Sequence, residues 1–311
     1  MNDTFSLLVP CYNAEKYIPT FIENIEKQER KFDEIIFYDD ASTDNTADIL
    51  IKSGYNVIRG MENKGPSFAR NKLAEKTFCE WFHFHDIDDL LDPHYLEKTS
   101  ALVGDQIDVI LCNVNWYDST KQNIVLKWEY SDKKIKETPL NYTISNPIGG
   151  INGLYRKKAF QAIKGFNTEI KLWEDADLHV RLAANNTKLC VLEEPLSFAI
   201  RHSQSLSSNQ RAAWLTRGQL LRNYFNSYCS LSTQKCIGFE AQKAASQLMI
   251  YNEIKAAKDA LKLSEQCGLK VPLSKNIIWK TLKTILPRQL RIHLRIIQLK
   301  IVFNNTPQNA K

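Results

Sequence analysis

Residues 82–89 read Phe82-His-Phe-His-Asp-Ile-Asp-Asp, an apolar run that leads directly into the carboxylates of Asp86, Asp88 and Asp89. Carboxylates at the carboxyl end of a parallel strand lie where open α/β sheets bind ligands, and their oxygens suit Mg²⁺ or Mn²⁺ holding a diphosphate. The alternative is an Asp-rich turn before a helix, with Asp89 or Asp92 as its cap. These residues alone leave both interpretations open.

Short apolar runs recur along the first half of the chain, separated by segments long enough for one helix each. The runs are Phe5–Val9, Glu34–Tyr38, Asn56–Ile58, Trp81–Phe84 and Asp108–Cys112. Their length predicts buried strands, and their alternation with helices predicts a Rossmann-like, mostly parallel α/β sheet with flanking helices. The less regular residues 113–150, with Trp116 and Trp128, predict a hairpin or a loop.

The second part of the chain has a different composition. From about Ser205 onward the strand pattern ends, and small and aliphatic residues between Ala241 and Leu261 repeat at helical spacing. Residues 1–200 hold 23 Lys and Arg against 31 Asp and Glu, whereas residues 201–311 hold 18 against 4. We therefore expect an acidic α/β domain at 1–205 and a basic, mainly helical region at 206–311.

The last 46 residues contain nine basic residues and no acidic one. Drawn as a helix, this segment has an apolar face of Leu290, Leu294, Ile297 and Ile301 and a basic face of Arg288, Arg291 and Arg295. That pattern predicts contact with an anionic membrane surface. The alternatives are a strand over residues 290–296, or packing of a second apolar face onto the main domain through Ile292, Ile296 and Leu299. Few aromatic residues are interleaved for base stacking, which disfavours a nucleic-acid partner.

The seven cysteines form no CxxC pair, and their odd number favours reduced thiols in a cytosol over a disulfide framework or a zinc site. We find neither a signal-peptide pattern nor a run of about 18 apolar residues. The expected location is the cytoplasm, with any membrane contact peripheral.

Two loops after predicted strands carry groups suited to a nucleotide base. Tyr12, in Pro10-Cys-Tyr-Asn, offers a ring that can stack on a base. The carboxylates that follow Tyr38 can accept a hydrogen bond from an imide N–H. Ser42, Thr43 and Asp44 are candidate caps for the next helix.

Three further segments carry charged groups. Lys64 and Arg70 belong to a glycine turn and the helix that it opens, an arrangement suited to an anionic ligand. Glu174 and Asp175 begin an amphipathic helix, where they complement the helix dipole or supply a general base. His202 follows a strand that ends at Ile200 and is a candidate contact to a metal or diphosphate.

Taken together and in this order, these segments resemble the inverting GT-A glycosyltransferases of family 2. The resemblance covers about residues 5–205. It rests on Leu8-Val-Pro-Cys-Tyr-Asn-Ala-Glu, Ile36-Phe-Tyr-Asp-Asp-Ala-Ser-Thr-Asp-Asn-Thr, Asn63-Lys-Gly-Pro-Ser-Phe-Ala-Arg-Asn, His85-Asp-Ile-Asp-Asp, Gly165-Phe-Asn, and Trp173-Glu-Asp-Ala-Asp-Leu with Arg181-Leu. The family more often has an aliphatic residue at His85 and glycine at Ala41.

The resemblance implies a GT-A fold and a role for each matching residue. On the donor side, it implies that Pro10 and Tyr12 line the base pocket, that Asp40 binds uracil, and that Asn13, Lys64, Gly65, Arg70 and Asp86 also bind the donor. It implies that Asp88 and His202 hold Mn²⁺ or Mg²⁺, that Trp173 and Glu174 border the acceptor, and that Asp175 is the catalytic base.

The implied activity is metal-dependent, inverting transfer of a sugar from a nucleotide-sugar, with UDP-sugars favoured, to a hydroxyl of a glycan or lipid-linked acceptor in surface polysaccharide or lipopolysaccharide synthesis. Such an enzyme would work at the inner face of the cytoplasmic membrane. A sugar-1-phosphate nucleotidyltransferase is one alternative, although Pro10-Cys-Tyr-Asn is not its glycine-rich phosphate loop. A non-catalytic nucleotide-sugar-binding protein is the other.

Overall fold

A computed structural model describes residues 3–201, 209–270 and 286–304. The chain divides into two compact units, Met1–Ser205 and Leu206–Lys311. The strands are β1 (Phe5–Cys11), β2 (Glu34–Asp39), β3 (Asn56–Arg59), β4 (Trp81–Phe84), β5 (Leu90–Leu91), β6 (Val109–Tyr117), β7 (Ile124–Trp128), β8 (Gly153–Arg156) and β9 (Leu189–Ile200). The helices of the first unit are α1 (Ile18–Glu26), α2 (Thr46–Lys52), α3 (Pro66–Lys76), α4 (Tyr95–Ser100), α5 (Asp132–Glu137), α6 (Pro139–Ser145), α7 (Lys157–Ala162) and α8 (Glu174–Ala184), and those of the second are α9 (Gln210–Ser227), α10 (Leu231–Ile250), α11 (Ile254–Gln266) and α12 (Arg288–Asn304).

The strands form one mixed sheet in the order β3-β2-β1-β4-β8-β6-β9-β5, and β7 pairs with β6 as a hairpin. Strands β3, β2, β1 and β4 are mutually parallel, as are β6 and β9. Strand β8 runs antiparallel to both β4 and β6. The predicted α/β sheet with flanking helices is confirmed. Because β1, β2 and β4 are parallel neighbours, their carboxyl ends and the loops that follow lie at one edge of the sheet.

Two apolar layers cover the sheet because alternate residues of each strand face opposite sides. In β1, Leu8 packs into one layer and Leu7 into the other. The first layer includes α3 and α8 through Leu73 and Leu178, and the second includes α1 through Phe21. Burial on both faces explains why the parallel strands are almost uninterrupted apolar runs in the sequence.

The start of α2 differs from the predicted capping. The residue that flanks the helix is Asn45, without a side-chain cap. Asp44 Oδ1 accepts from the N–H of Thr46 at 3.0 Å, whereas Ser42 and Thr43 contact the loop after β1. At α4, the flanking residue is His94, and Asp92 Oδ1 accepts its N–H at 2.9 Å. Ser42 and Thr43 therefore join two loops at the sheet edge and do not cap α2.

The described part of the second unit is helical, as predicted. Helix α12 rules out the strand alternative for residues 290–296. Its second apolar face is buried at Ile292 and Ile296, which pack on α10 and α11 through residues such as Leu248 and Leu261. The residues that pack against this face, such as Leu248 and Leu261, belong to the C-terminal unit itself.

The basic face of α12 is only partly open to solvent. Arg291 pairs with Glu265 at 2.9 Å, and both side chains are largely buried. Leu290 and Ile297, on the first apolar face, are 43% and 41% exposed. Arg291 is therefore committed to an internal ion pair, and the exposed apolar side chains lie on the face predicted to meet a membrane.

All seven cysteines are free thiols, and Cys11, Cys79, Cys112, Cys190 and Cys267 are buried. Within the described ranges, no helix combines the length and the apolar character needed to cross a bilayer.

Candidate active site

The loop after β2 is tied to the start of α3 by one carboxylate. Asp40 is buried, and its two oxygens accept the N–H groups of Lys64 at 3.0 Å and of Gly65 at 2.7 Å. Gly65 has φ +89°, a left-handed conformation that glycine adopts without a Cβ clash. Asp40 therefore fixes the loop that carries Lys64. Each oxygen retains a further lone pair for a ligand.

The end of β1 carries three residues predicted to bind the donor, of which Pro10 and Tyr12 are assigned to the base pocket. Pro10 is partly buried, whereas Tyr12 is 49% exposed immediately after the strand. Asn13 is exposed, but its Oδ1 accepts the N–H of Thr43 at 2.8 Å and its own N–H donates to Ser42 Oγ at 2.8 Å. Tyr12 is thus the open aromatic surface, while the Asn13 side chain holds the two loops together.

Ala41 occupies a position that the backbone makes costly for alanine. Its φ is +62°, in the left-handed region, and it directly follows Asp40. An alanine there costs about 1–2 kcal/mol relative to a right-handed conformation. This explains in physical terms why a glycine suits the position.

The end of β4 brings three carboxylates to the same edge of the sheet. Asp86 and Asp88 are partly buried, and Asp89 is buried with its Oδ1 accepting the N–H of Ile200 at 2.8 Å. Burial, reinforced by Asp88 and Asp86, raises the pKa of Asp89 well above its ordinary value. Asp89 is therefore a structural acid that joins the β4 loop to the end of β9, and it does not cap α4.

Two histidines of the same segment lie inside the protein. His85, where the family more often has an aliphatic residue, is fully buried, and its Nδ1 lies 3.3 Å from His83 Nε2. Burial lowers the pKa of His85 to about 4, so the ring is neutral at physiological pH. His85, which directly precedes Asp86, therefore occupies a buried position without adding a charge.

Arg70 connects the carboxylates after β4 with those at the start of α8. Its Nη2 donates to Asp86 Oδ1 at 2.7 Å, and its Nη1 lies 3.5 Å from Glu174 Oε1. Only 7% of the Arg70 side chain is exposed. Burial opposes the charge of Arg70, but Asp86, Glu174 and Asp175 outweigh it and raise the pKa of the guanidinium. Arg70 was predicted as a donor contact, and its bridge to Glu174 was not anticipated.

Helix α8 starts in a strained conformation. Trp173 immediately precedes the helix with φ +67°, which for a bulky residue costs of order 1–3 kcal/mol and is typical of functional sites. Directly after this turn, Glu174 lies beside Arg70, and only 16% of its side chain is exposed. Burial and then the neighbouring Asp175 raise the pKa of Glu174 to about 7, although Arg70 lowers it.

Asp175 is held from both sides by backbone N–H groups. Its Oδ1 accepts from Ala176 at 2.7 Å, and its Oδ2 accepts from Gly150 at 3.2 Å. Burial raises the pKa of Asp175, while the Ala176 N–H and Arg70 limit the rise. A carboxylate fixed in this way and shifted toward neutrality has the properties of a general base.

Arg181, the last motif residue of α8, holds the turn that carries another motif. Its Nη1 donates to the Gly165 carbonyl at 2.7 Å, and its Nε donates to Asp177 at 2.7 Å. Gly165 has φ +65°. The Gly165-Phe-Asn and Arg181 motifs therefore form one structural clamp.

Within the described part of the chain, no group of three or more His, Cys, Asp or Glu residues converges as a metal site. His202, predicted as a ligand, lies outside the described residues. Asp86 and Asp88 nonetheless supply hard oxygen donors, and Mg²⁺ is commonly held by one or two carboxylates plus substrate phosphates.

The family model for glycosyl transferase family 2 matches residues 6–164, slightly more than half of the chain. The chain belongs to glycosyl transferase family 2. The matched range contains all the predicted donor residues from Pro10 to Asp86, and it ends before Glu174 and Asp175.

Two curated relatives show how far the similarity of this family 2 member extends. EpsH of Bacillus subtilis (strain 168) is 32% identical over 167 residues, which are 50% of this chain and 48% of EpsH. Poly(ribitol-phosphate) beta-N-acetylglucosaminyltransferase TarS of Staphylococcus aureus is 31% identical over 115 residues, 34% of this chain and 20% of TarS. The chain thus spans about half the length of EpsH and a smaller share of TarS.

Two solved structures share the fold of the family 2 member. The structure of S. aureus TarS residues 1–349 with UDP-GlcNAc has a TM-score of 0.66 at 20% identity, covering 96% of this chain and 89% of that one. The mannosyltransferase PcManGT from Pyrobaculum calidifontis, with GDP-Man and Mn²⁺, has a TM-score of 0.56 at 15% identity, covering 98% and 86%. These similarities confirm the predicted GT-A fold.

Proposed function

We propose that this family 2 member transfers a sugar from a nucleotide-sugar, with UDP-sugars favoured, to an acceptor hydroxyl with inversion of the anomeric configuration. The observation that carries the proposal is the Arg70 bridge, which sets the carboxylate of Asp86 beside Glu174 and Asp175. Arg70 thereby connects the proposed metal-binding carboxylates, Asp86 and Asp88, with the segment that carries the proposed base, Asp175.

The donor assignment rests on the loops after β1 and β2. Tyr12 presents an exposed ring for base stacking, and Asp40 fixes the backbone from which Lys64 projects. The binding of UDP-GlcNAc by TarS and of GDP-Man by PcManGT supports a nucleotide-sugar in the same fold. An oxygen of Asp40 can accept a hydrogen bond from an imide N–H, and this favours uracil as the base of the donor.

Asp86 and Asp88 are the residues that would hold Mg²⁺ or Mn²⁺, and His202 is the further candidate ligand. The Mn²⁺ in the PcManGT structure supports this choice of ion. When bound, a divalent ion supplies charge neutralisation for the leaving diphosphate. The task of the chain's own residues is to orient the donor. Arg70 does so by fixing the Asp86 carboxylate at 2.7 Å.

Asp175 is the proposed base. Its carboxylate is oriented by Gly150 and Ala176 and would accept the proton of the acceptor hydroxyl as that oxygen attacks the anomeric carbon from the face opposite the diphosphate. Attack from the opposite face inverts the configuration in a single displacement. Trp173 and Glu174 border the same side and are the proposed acceptor contacts.

The proposed acceptor is a glycan or lipid-linked molecule of surface polysaccharide synthesis. The poly(ribitol-phosphate) acceptor in the name of TarS supports a polyanionic cell-surface substrate. The exposed Leu290 and Ile297 beside the basic residues of α12 support a peripheral position on an anionic membrane, with the α/β unit in the cytoplasm.

The test replaces the proposed base and nothing else. Asp175→Asn should lower release of the nucleoside diphosphate by at least about 10²-fold, the usual contribution of a general base, and leave the Kd for UDP-sugar nearly unchanged. Asp105→Asn, an exposed carboxylate on a distant loop, is the matched control and should be fully active. Full turnover by Asp175→Asn would show that another group is the base.

A further inference from the structure

A buried histidine lies one helical turn after the proposed base. His179 of α8 is fully buried, and its Nδ1 lies 2.7 Å from the backbone carbonyl oxygen of Asp175. Its Nε2 lies 2.9 Å from the hydroxyl of Tyr155 in β8. The ring therefore joins the first turn of α8 to the central strand of the sheet.

The chemistry of these partners fixes the hydrogen positions. A carbonyl oxygen only accepts, so His179 Nδ1 carries the hydrogen and donates it to Asp175. Nε2 is then the acceptor, and the Tyr155 hydroxyl must donate to it. Burial lowers the pKa of His179 to about 4, which keeps the ring neutral. The hydrogen bonds therefore run from the Tyr155 hydroxyl to His179 Nε2, and from His179 Nδ1 to the Asp175 carbonyl.

The sheet is shaped to place the Tyr155 hydroxyl. A Cβ at Gly153, two residues earlier on the same strand, would lie 2.6 Å from Tyr155 Cζ. Only glycine therefore lets the ring lean back toward α8. The Tyr155 ring itself is buried against Phe82 and Phe84, so it has no freedom to follow a displaced histidine.

The loop before β8 holds the other side of the base. The Gly150 N–H donates to Asp175 Oδ2 at 3.2 Å. His179 therefore anchors the backbone of Asp175 on the α8 side, while Gly150 holds the carboxylate from the opposite side.

We propose that His179 and Tyr155 are positioning residues that hold Asp175 in its productive orientation. The inference rests on the proposed function, because it presumes that Asp175 is the base. A displacement of a catalytic group by about 1 Å can cost about 10²-fold in rate, which sets the expected scale. Neither side chain is required to touch donor or acceptor, so their loss should affect kcat and leave the donor KM unchanged.

The experiment measures kcat and KM for release of the nucleoside diphosphate, with the best substrate among UDP-, GDP- and dTDP-sugars and with Mn²⁺. His179→Leu, which removes both hydrogen bonds, should lower kcat by about 10- to 100-fold with an unchanged KM. His179→Asn, whose amide can still donate to the Asp175 carbonyl, should recover most of that loss. Tyr155→Phe should give an intermediate kcat.

Leu182→Ala is the control for a purely structural effect, because Leu182 is fully buried on the same helix away from the base. It should lower the melting temperature and preserve kcat per folded molecule. If His179→Leu has the kcat of Leu182→Ala, or if His179→Asn is no better than His179→Leu, the positioning role is refuted. Full activity of Asp175→Asn would instead refute the proposed function, and the two failures are therefore distinct.

Discussion

Replacing Arg70 with methionine removes the positive charge between the two carboxylate groups while keeping a long side chain in the buried site. In the wild-type protein Arg70 lowers the pKa of both Glu174 and Asp175. Without it, both folded-state pKa values rise, and more of the proposed base is protonated at pH 7. The Arg70→Met variant should therefore lose activity at neutral pH and regain part of it in alkaline buffer.

The distance between the charges sets the size of the shift. The Arg70 and Glu174 charges, 3.5 Å apart, interact by about 5 kcal/mol at an effective dielectric constant of 20, and this pair sets the upper bound for the neighbouring Asp175. That energy corresponds to a ceiling of roughly 3.5 pKa units. Relaxation and solvent near the 35%-exposed Asp86 reduce it, so we expect the acidic limb of the activity profile to move up by about 1–2 pH units.

The assay is UDP release from a UDP-sugar between pH 5 and 9.5, with folding checked by circular dichroism at each pH. Arg156→Met is the matched control, since Arg156 is also largely buried and paired, with Glu80 and Asp108, away from the site. Its acidic limb should coincide with that of the wild type. An unshifted limb in Arg70→Met, with residual activity at every pH, would refute the electrostatic coupling.

Two further predictions concern the backbone and the C-terminal helix. Ala41→Gly should raise the free energy of unfolding in urea by about 0.5–1 kcal/mol, because glycine adopts the left-handed conformation without strain. The control Ala256→Gly, in α11, should lower that free energy by about 1 kcal/mol. A loss of stability in Ala41→Gly would contradict the strain argument. Neutralising Arg295 and Lys300 together should weaken binding to phosphatidylglycerol vesicles by about 2 kcal/mol, or roughly 30-fold. Neutralising Lys133 and Lys134 in α5 is the control and should leave vesicle binding unchanged. If the wild-type protein does not bind the vesicles, the proposed membrane role is refuted.

The parallel strands could be predicted because burial on both faces makes them continuous apolar runs. Trp81–Phe84 was predicted with the observed bounds, and Phe5 and Glu34 begin strands as expected. Strand β6 was predicted too short, ending at Cys112. It continues to Tyr117 because residues 114–117 pair with β7 and β9, and the buried Asn113 is satisfied since its Oδ1 accepts the Tyr130 N–H. A polar residue satisfied by a distant partner interrupts the apolar pattern without ending the strand.

In the candidate site, too, local motifs predicted the residues, whereas contacts between distant parts of the chain could not be predicted. The sequence placed charged residues such as Asp86 and Asp175 at the ends of elements, and the structure gathers them at one sheet edge. The Arg70 bridge and the Gly150 contact join residues far apart in the chain, and no local spacing predicts them. The glycines of Ile148-Gly-Gly-Ile-Asn-Gly were the available signal, since they mark a backbone that approaches another segment closely.

The central claim is that the edge formed by β1, β2 and β4 binds a metal nucleotide-sugar. The most direct test is calorimetric titration of the protein with UDP-, GDP- and dTDP-sugars, with Mn²⁺ and with EDTA. We predict saturable binding of a UDP-sugar that requires Mn²⁺, is lost in Asp88→Asn and is retained in Asp175→Asn. Binding that is indifferent to EDTA and to Asp88→Asn, or no binding of any nucleotide-sugar, would contradict it.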